Sequence, residues 1–170
     1  MPELPNHRKK PVQVLVAAAV LGFSATACFG PAPAPSPSCN GPAGPPDPVT
    51  AAAFNGANSD RAANGIPPVQ WNPQLWCLAS NWTNHMAGAG AMTHQDLGSV
   101  LNSAEFSGYR TMGENIIHGP DSMTGQQMEA SWMASPDHRA NILAPGFTSV
   151  GLATARASDG TMYATEDFGG

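Results

Sequence analysis

Lysine is absent after Lys10, and this absence removes one class of partner at once. Once residues 1–27 are set aside, only Arg61, Arg110, Arg139 and Arg156 remain as basic groups. They face eleven acidic residues, for a net charge of −7 with histidine neutral. A chain so acidic does not neutralise phosphates, which argues against nucleic acid and against electrostatic adhesion to anionic lipid. Long apolar runs are also missing. The longest, Val12 to Ala27, has 16 residues, short of the roughly 20 that cross a bilayer as a helix. No H-E-x-x-H occurs, which disfavours the common zinc-protease arrangement. There is no G-x-S-x-G elbow to expose a nucleophilic serine. Cysteine is scarce, at three residues.

What is present at the N-terminus reads as an address. His7-Arg8-Lys9-Lys10 is a basic start, the apolar segment follows, and Ala25-Thr26-Ala27 ends it with a small-x-small pattern. Residues 1–27 are therefore expected to be an export signal and are left out of the fold argument. An exported chain pairs its thiols, and three cysteines leave one over. Cys28 stands directly after Ala27 in what resembles a relaxed bacterial lipobox, so lipid modification of Cys28 is expected. It would remove the odd thiol and leave Cys39 and Cys77 to pair. Ala25 departs from the large aliphatic a lipobox prefers, and ordinary cleavage would leave Cys28 as a free thiol. The expected location is the outer face of the cell membrane, or the medium if the chain is freely secreted. Residues 28–48 are rich in proline and glycine, which suits an extended, semi-rigid spacer.

Residues 49–170 suit one domain with one core, and no repeat is visible. Thr50 is placed to cap a helix from Ala51 to Asn64, with Gly65 as its stop. Ile66-Pro67-Pro68-Val69 reads as an extended connector. Asn72-Pro73 opens a second helix, in which Leu75, Leu78, Ala79, Trp82 and Met86 recur at helical spacing up to Gly88-Ala89-Gly90. Trp71, Trp76 and Trp82 read as packing residues. Val100, Leu101, Ala104 and Phe106 fit a short helix, and Asn115-Ile116-Ile117 a short strand. Asp121 or Ser122 is expected to cap a helix through Met133, broken at Pro136. Val150–Ala157 and Thr161–Phe168 are strand-like around Ser158-Asp159-Gly160, and Asp-Gly between such runs signals a hairpin. Helices first and paired strands last, without βαβ alternation, gives an α+β class.

Three short signatures carry the chemistry. Met92-Thr93-His94 comes first, then Gly113-Glu114-Asn115-Ile116, then Ser131-Trp132-Met133-Ala134-Ser135-Pro136-Asp137-His138-Arg139-Ala140-Asn141-Ile142-Leu143. In this order, and followed by a strand pair, they resemble the CAP superfamily: cysteine-rich secretory proteins, antigen 5 and pathogenesis-related class 1 proteins. The resemblance is to its bacterial branch, which carries W-M-x-S-P-x-H-R-x-N-I-L. It implies a three-layer α-β-α sandwich in which two histidines and two acids line a cleft. His94 matches the first histidine, Glu114 the first acid and His138 the second histidine. Ser135 stands where many eukaryotic members have the second acid, so one carboxylate is missing.

Two neutral imidazoles and a carboxylate are a sound ligand set for a divalent metal such as zinc, with solvent completing the shell. His94, Glu114 and His138 are thus the candidate metal ligands, and Ser135 completes the candidate cleft. Glu114 has an equally good reading as the residue that holds the cleft together by accepting hydrogen bonds. No nucleophile is indicated: Ser135 lies one turn before His138 but lacks an acid partner. His85 and His118 fall outside the signatures and read as surface residues. Asn115 and Arg139 read as scaffold, with Arg139 placed to pair with Asp137 or another carboxylate. Three functions compete. The first is a binding module for a metal ion, a lipid or a cell-envelope ligand. The others are a metal-assisted hydrolase, protease-like or wall-acting, and a structural or adhesive surface protein. The domain is expected to be a monomer.

Overall fold

The computed structural model of the chain describes residues 39–170. The expected export signal at 1–27, Cys28 and the spacer up to residue 38 lie outside the described residues. Five helices and four strands follow: α1 (Pro48–Ala63), β1 (Gln70–Trp71), α2 (Pro73–Ala89), α3 (Leu97–Leu101), β2 (Met112–Pro120), α4 (Gly125–Ala134), α5 (Pro136–Ile142), β3 (Ser149–Arg156) and β4 (Thr161–Gly169). A single 3₁₀ turn at Ala104–Phe106 follows α3.

The strands form one mixed sheet in the order β1-β3-β4-β2. β3 and β4 are the expected hairpin, joined through Gly160 at φ +83°. β4 also pairs antiparallel with β2 along nine residues, and β1 adds to β3 in parallel. Side chains alternate across a strand, so this register sorts them onto two faces. On one face Ile116 and Tyr163 pack against Met86 and Ala87 of α2, and the Thr83 and Thr165 hydroxyls are hydrogen-bonded at 2.8 Å. On the other, Leu152, Ala164 and Phe168 pack with Ala53 and Ala57 of α1, Met128 and Trp132 of α4 and Ile142 of α5. The result is a three-layer α-β-α sandwich of α+β class. Gly151 lets α2 sit directly on the sheet: a Cβ there would collide with the backbone of Leu75 and Trp76.

Local chemistry explains where the elements begin. Asn72 caps α2 by accepting from the Gln74 and Leu75 N–H groups, with Pro73 at the first position. α1 starts earlier than expected. Asp47, not Thr50, is its cap, accepting from the Val49 and Thr50 N–H groups with Pro48 at the first turn. Thr50 is a buried helical residue whose hydroxyl donates to Asp47. Likewise Thr124, not Asp121 or Ser122, caps α4, through a capping box with Gln127. Asp121 instead pairs with Arg156. The short strand at Asn115–Ile117 is the middle of the much longer β2.

Two buried polar features join the helices to the sheet. Arg61 is 1 % exposed and donates to four carbonyls, of Pro67, Ile142, Ala144 and Phe147, at 2.7–2.9 Å. It thereby closes the C-terminal end of α5 against α1. Glu129 of α4 and Glu166 of β4 are buried acids on the same side. Burial first, then the Glu166 and Asp60 carboxylates, push Glu129 up to about 9. Burial pushes Glu166 to about 8, against the Asn115 amide and the Arg61 charge. Ionised, Glu129 has no donor within reach; as a carboxylic acid it can donate towards Asp60.

Cys39 and Cys77 form the expected disulfide, with Cα atoms 6.1 Å apart, inside the usual range of about 4.4–6.8 Å. It ties the first described residue to α2. With a sequence separation of 38 between the two cysteines, loop closure contributes about 4 kcal/mol in the chain-entropy model. Cys39→Ala/Cys77→Ala should therefore lower the unfolding free energy in urea by about that amount and, by loosening the denatured chain, raise the slope slightly. A change under about 1 kcal/mol would mean that the denatured chain is already constrained there.

The buried acids generate a second prediction. Glu129 titrates near 4.5 when free and near 9 when folded, so between those values the folded chain holds a proton that the unfolded chain has lost. Stability from this group is complete below about pH 4.5 and is lost as pH rises towards 9. Glu129→Gln should flatten the fall in urea midpoint between about pH 5 and pH 9. A variant as alkali-sensitive as the wild type would place the effect elsewhere.

Candidate functional site

The site grows from the facing ends of β2 and β4. Register sets Glu114 opposite Asp167, on the α2 face of the sheet. Glu114 is buried, with its side chain 1 % exposed, whereas His94, in the loop between α2 and α3, is 59 % exposed. His94 Nδ1 lies 2.6 Å from Glu114 Oε1, short enough for a charge-assisted bond. The adjacent Gln95 completes the carboxylate's shell. Its backbone N–H donates to Oε1 at 3.2 Å and its side-chain amide to Oε2 at 2.8 Å. Burial raises the Glu114 carboxyl above the ordinary glutamate range, and these His94 and Gln95 bonds oppose that rise.

The sequence reading missed two members of this cluster. Asp167 is fully buried and accepts from the Gln95 amide at 2.9 and 3.0 Å through its two oxygens. Burial, and then the Glu114 carboxylate, push its carboxyl well above the usual aspartate range. Neither Gln95 nor Asp167 belongs to a recognisable motif position. The one available signal was Asp167 itself, an acid inside an otherwise strand-like run.

His138 reaches the same neighbourhood from α5. Its carbonyl accepts from Asn115 Nδ2 at 3.2 Å. Asn141, one turn further on, donates to the Glu114 carbonyl at 3.1 Å and to Asn115 Oδ1 at 2.9 Å. Asn115 also donates to Glu166 Oε2 at 3.1 Å. These amides clamp α5 along β2, and two edge carbonyls of that strand are covered, Glu114 by Asn141 and Ile116 by Trp132 Nε1 at 3.2 Å. Burial, and then the neighbouring His94 charge, lower the His138 pKa, while Asp137 raises it. The His138 imidazole is thus held towards its neutral form.

The remaining candidates are placed as follows. Ser135 is half-buried at the junction of α4 and α5, and its hydroxyl makes no capping hydrogen bond. Arg139 reaches the Met133 carbonyl at 3.3 Å rather than a carboxylate. His85 stacks on Trp82 and exposed His118 on Tyr163. Of the three candidate metal ligands, His94 and Glu114 are joined directly, and His138 comes near His94 from α5. Among the described residues no three His, Cys, Asp or Glu side chains are disposed to hold an ion. Glu114 is turned inward, its carboxylate occupied by Nδ1 of His94 and by Gln95.

The fold has counterparts. The profile of the cysteine-rich secretory protein (CAP) family matches residues 54–168. The chain is 33 % identical over 99 residues to YkwD of Bacillus subtilis, a match covering 56 % of this chain and 38 % of that protein. An extracellular protein with an SCP domain from Bacillus anthracis superposes with a TM-score of 0.57 at 25 % identity, over 68 % of this chain and 38 % of the other. An outer surface protein of Borrelia burgdorferi shares the fold at a TM-score of 0.60 and 12 % identity, over 68 % and 87 % of the two chains. The matched region is thus under half the length of both Bacillus relatives. With its three signatures, its sandwich and a profile match across the folded part, the chain belongs to the cysteine-rich secretory protein (CAP) family, in its bacterial form.

Proposed function

We propose that this is an exported, non-catalytic binding module whose cleft, around His94, Glu114, Ser135 and His138, takes a metal ion, a lipid or a cell-envelope ligand. The observation that carries the reading is the 2.6 Å bond from His94 Nδ1 to buried Glu114. It commits one nitrogen of an exposed imidazole to the protein and leaves Nε2 for a ligand. A carboxylate behind a histidine is the usual support for a metal-binding imidazole. His138, disfavoured as a cation, supplies a second neutral ring. Two imidazole nitrogens suit zinc, and a bound ion would add the positive charge that draws an anionic or carbonyl oxygen into the cleft. With two protein ligands and no second acid at Ser135, affinity should be modest and solvent should fill the remaining positions. A hydrolytic role has less support, since Ser135 stands in place of the second carboxylate that an acid-base pair would use.

Export is supported by the basic and apolar N-terminal segment and by the extracellular Bacillus anthracis relative. Lipid on Cys28 would supply the tether.

Zinc titration calorimetry tests the cleft. Wild-type protein should bind about one zinc ion, more weakly as pH falls through the imidazole range, because ligation needs neutral histidine. His94→Ala/His138→Ala should abolish the heat. Equal heats from both proteins would reject the metal and leave an organic ligand. Metal-dependent turnover lost with His94→Ala would instead establish the hydrolase. For the tether, Cys28→Ala should move the protein from the membrane fraction to the medium. Wild-type protein found wholly in the medium with residue 28 unmodified by mass spectrometry would reject the anchor.

A further inference from the structure

Asp167 presents a puzzle that the binding site alone does not answer. It is fully buried, directly opposite Glu114 in the sheet, and between Glu114 and Gly151 on the face that α2 covers. Its neighbours along that face, Tyr163 and Thr165, pack on α2 or bond to it. A second acid beside a buried carboxylate is unfavourable for the fold through both desolvation and like charge. The partner that accommodates it is the Gln95 amide.

That amide has two N–H groups and serves two carboxyl groups. One reaches Glu114 Oε2 at 2.8 Å and the other spans the Asp167 oxygens at 2.9 and 3.0 Å. Gln95 sits on an irregular loop, adjacent to His94, and without Asp167 its amide nitrogen would be held by one carboxyl only. With that nitrogen held between the two carboxyl groups, it fixes Oε2 of Glu114 and leaves Oε1 to His94 Nδ1 and the Gln95 backbone N–H. We propose that Asp167, acting through Gln95, is the positioning residue that aims Glu114 at His94 and so determines which imidazole nitrogen the cleft presents. A carboxyl from β4 thus does from beneath the site what the residue at Ser135 does not do from its rim. The inference rests on reading the cleft as a binding site built on His94, but not on which ligand it takes.

Imidazole ¹⁵N chemical shifts of His94, recorded where the ring is neutral, report the tautomer directly. Wild-type protein should show His94 as the Nδ1–H form. Asp167→Ala and Gln95→Met should both shift it towards the mixture shown by free imidazole. Asp167→Asn keeps an oxygen for the Gln95 amide and should retain the wild-type form. If zinc binds, its affinity should fall roughly 10–100-fold in the first two variants, as for loss of an outer-shell partner. A merely structural Asp167 would alter stability and leave the tautomer alone. Should Asp167→Ala fail to fold, Gln95→Met decides, since it keeps the side chain's bulk. A wild-type Nε2–H tautomer, or a folded Gln95→Met with the wild-type tautomer, would overturn the proposal. Absence of zinc binding to wild-type protein would remove the metal alone, because the tautomer is read without it.

Discussion

The register of β2 on β4 is the constraint on which everything else depends. Nine consecutive pairs, from Met112 opposite Gly169 to Pro120 opposite Thr161, decide the face on which each polar residue lies. Glu114 and Asp167 fall under the loop that carries His94, while Asn115 and Glu166 fall on the side of α4 and α5. A slip of one residue would exchange these sets. It would bring Glu166 towards His94 and leave Asn115 unable to hold α5. Few registers could be so strongly specified, because both faces of the strand pair are buried and both carry groups that need a named partner.

That sorting produces two polar systems separated by the thickness of one sheet. On the α2 side a histidine, a glutamate, a glutamine and an aspartate are linked by hydrogen bonds. On the other, Asn115 links Glu166 to the His138 carbonyl and accepts from Asn141. Asn115 and Glu114 are neighbours in sequence, so one stretch of backbone anchors both. This arrangement explains how a site can be built from a loop, two strands and a short helix without a continuous motif. The seven residues of α5 could not hold His138 in place alone. Arg61 closes the end of that helix through the Ile142 and Ala144 carbonyls, and the asparagine pair holds its side.

Local signals proved the most legible. Asn72-Pro73 named the start of α2, and Asp159-Gly160 named the hairpin, because caps and tight turns are decided by residues close in sequence. Asp47 and Thr124 escaped for a related reason: several capping residues stand near each start, and the choice among them depends on how the helix packs. β1, two residues long, has no pattern of its own and exists because β3 lies beside it. The full length of β2 was hidden because its ends, Met112 and Gly119-Pro120, lack β-prone residues and are held by pairing with β4. The signatures led to His94, Glu114 and His138. The role of Glu114 as a support, however, depends on contacts with a loop 20 positions earlier and a strand far later in the chain, beyond any local reading.

The same contrast bears on what the missing acid at Ser135 means. Counted along the sequence, the bacterial form lacks one carboxylate. In space a second acid, Asp167, lies beside Glu114. The two arrangements are not equivalent. An acid on the rim would face solvent and a ligand directly, adding charge and a proton acceptor to the cleft. Asp167 is sealed under α2, with a carboxyl that burial and Glu114 hold well above its ordinary range, and it meets the cleft only through Gln95. A buried acid of this kind contributes orientation instead of charge. Both acids therefore lie beneath the exposed His94 ring, where they support the imidazole and stay out of contact with solvent.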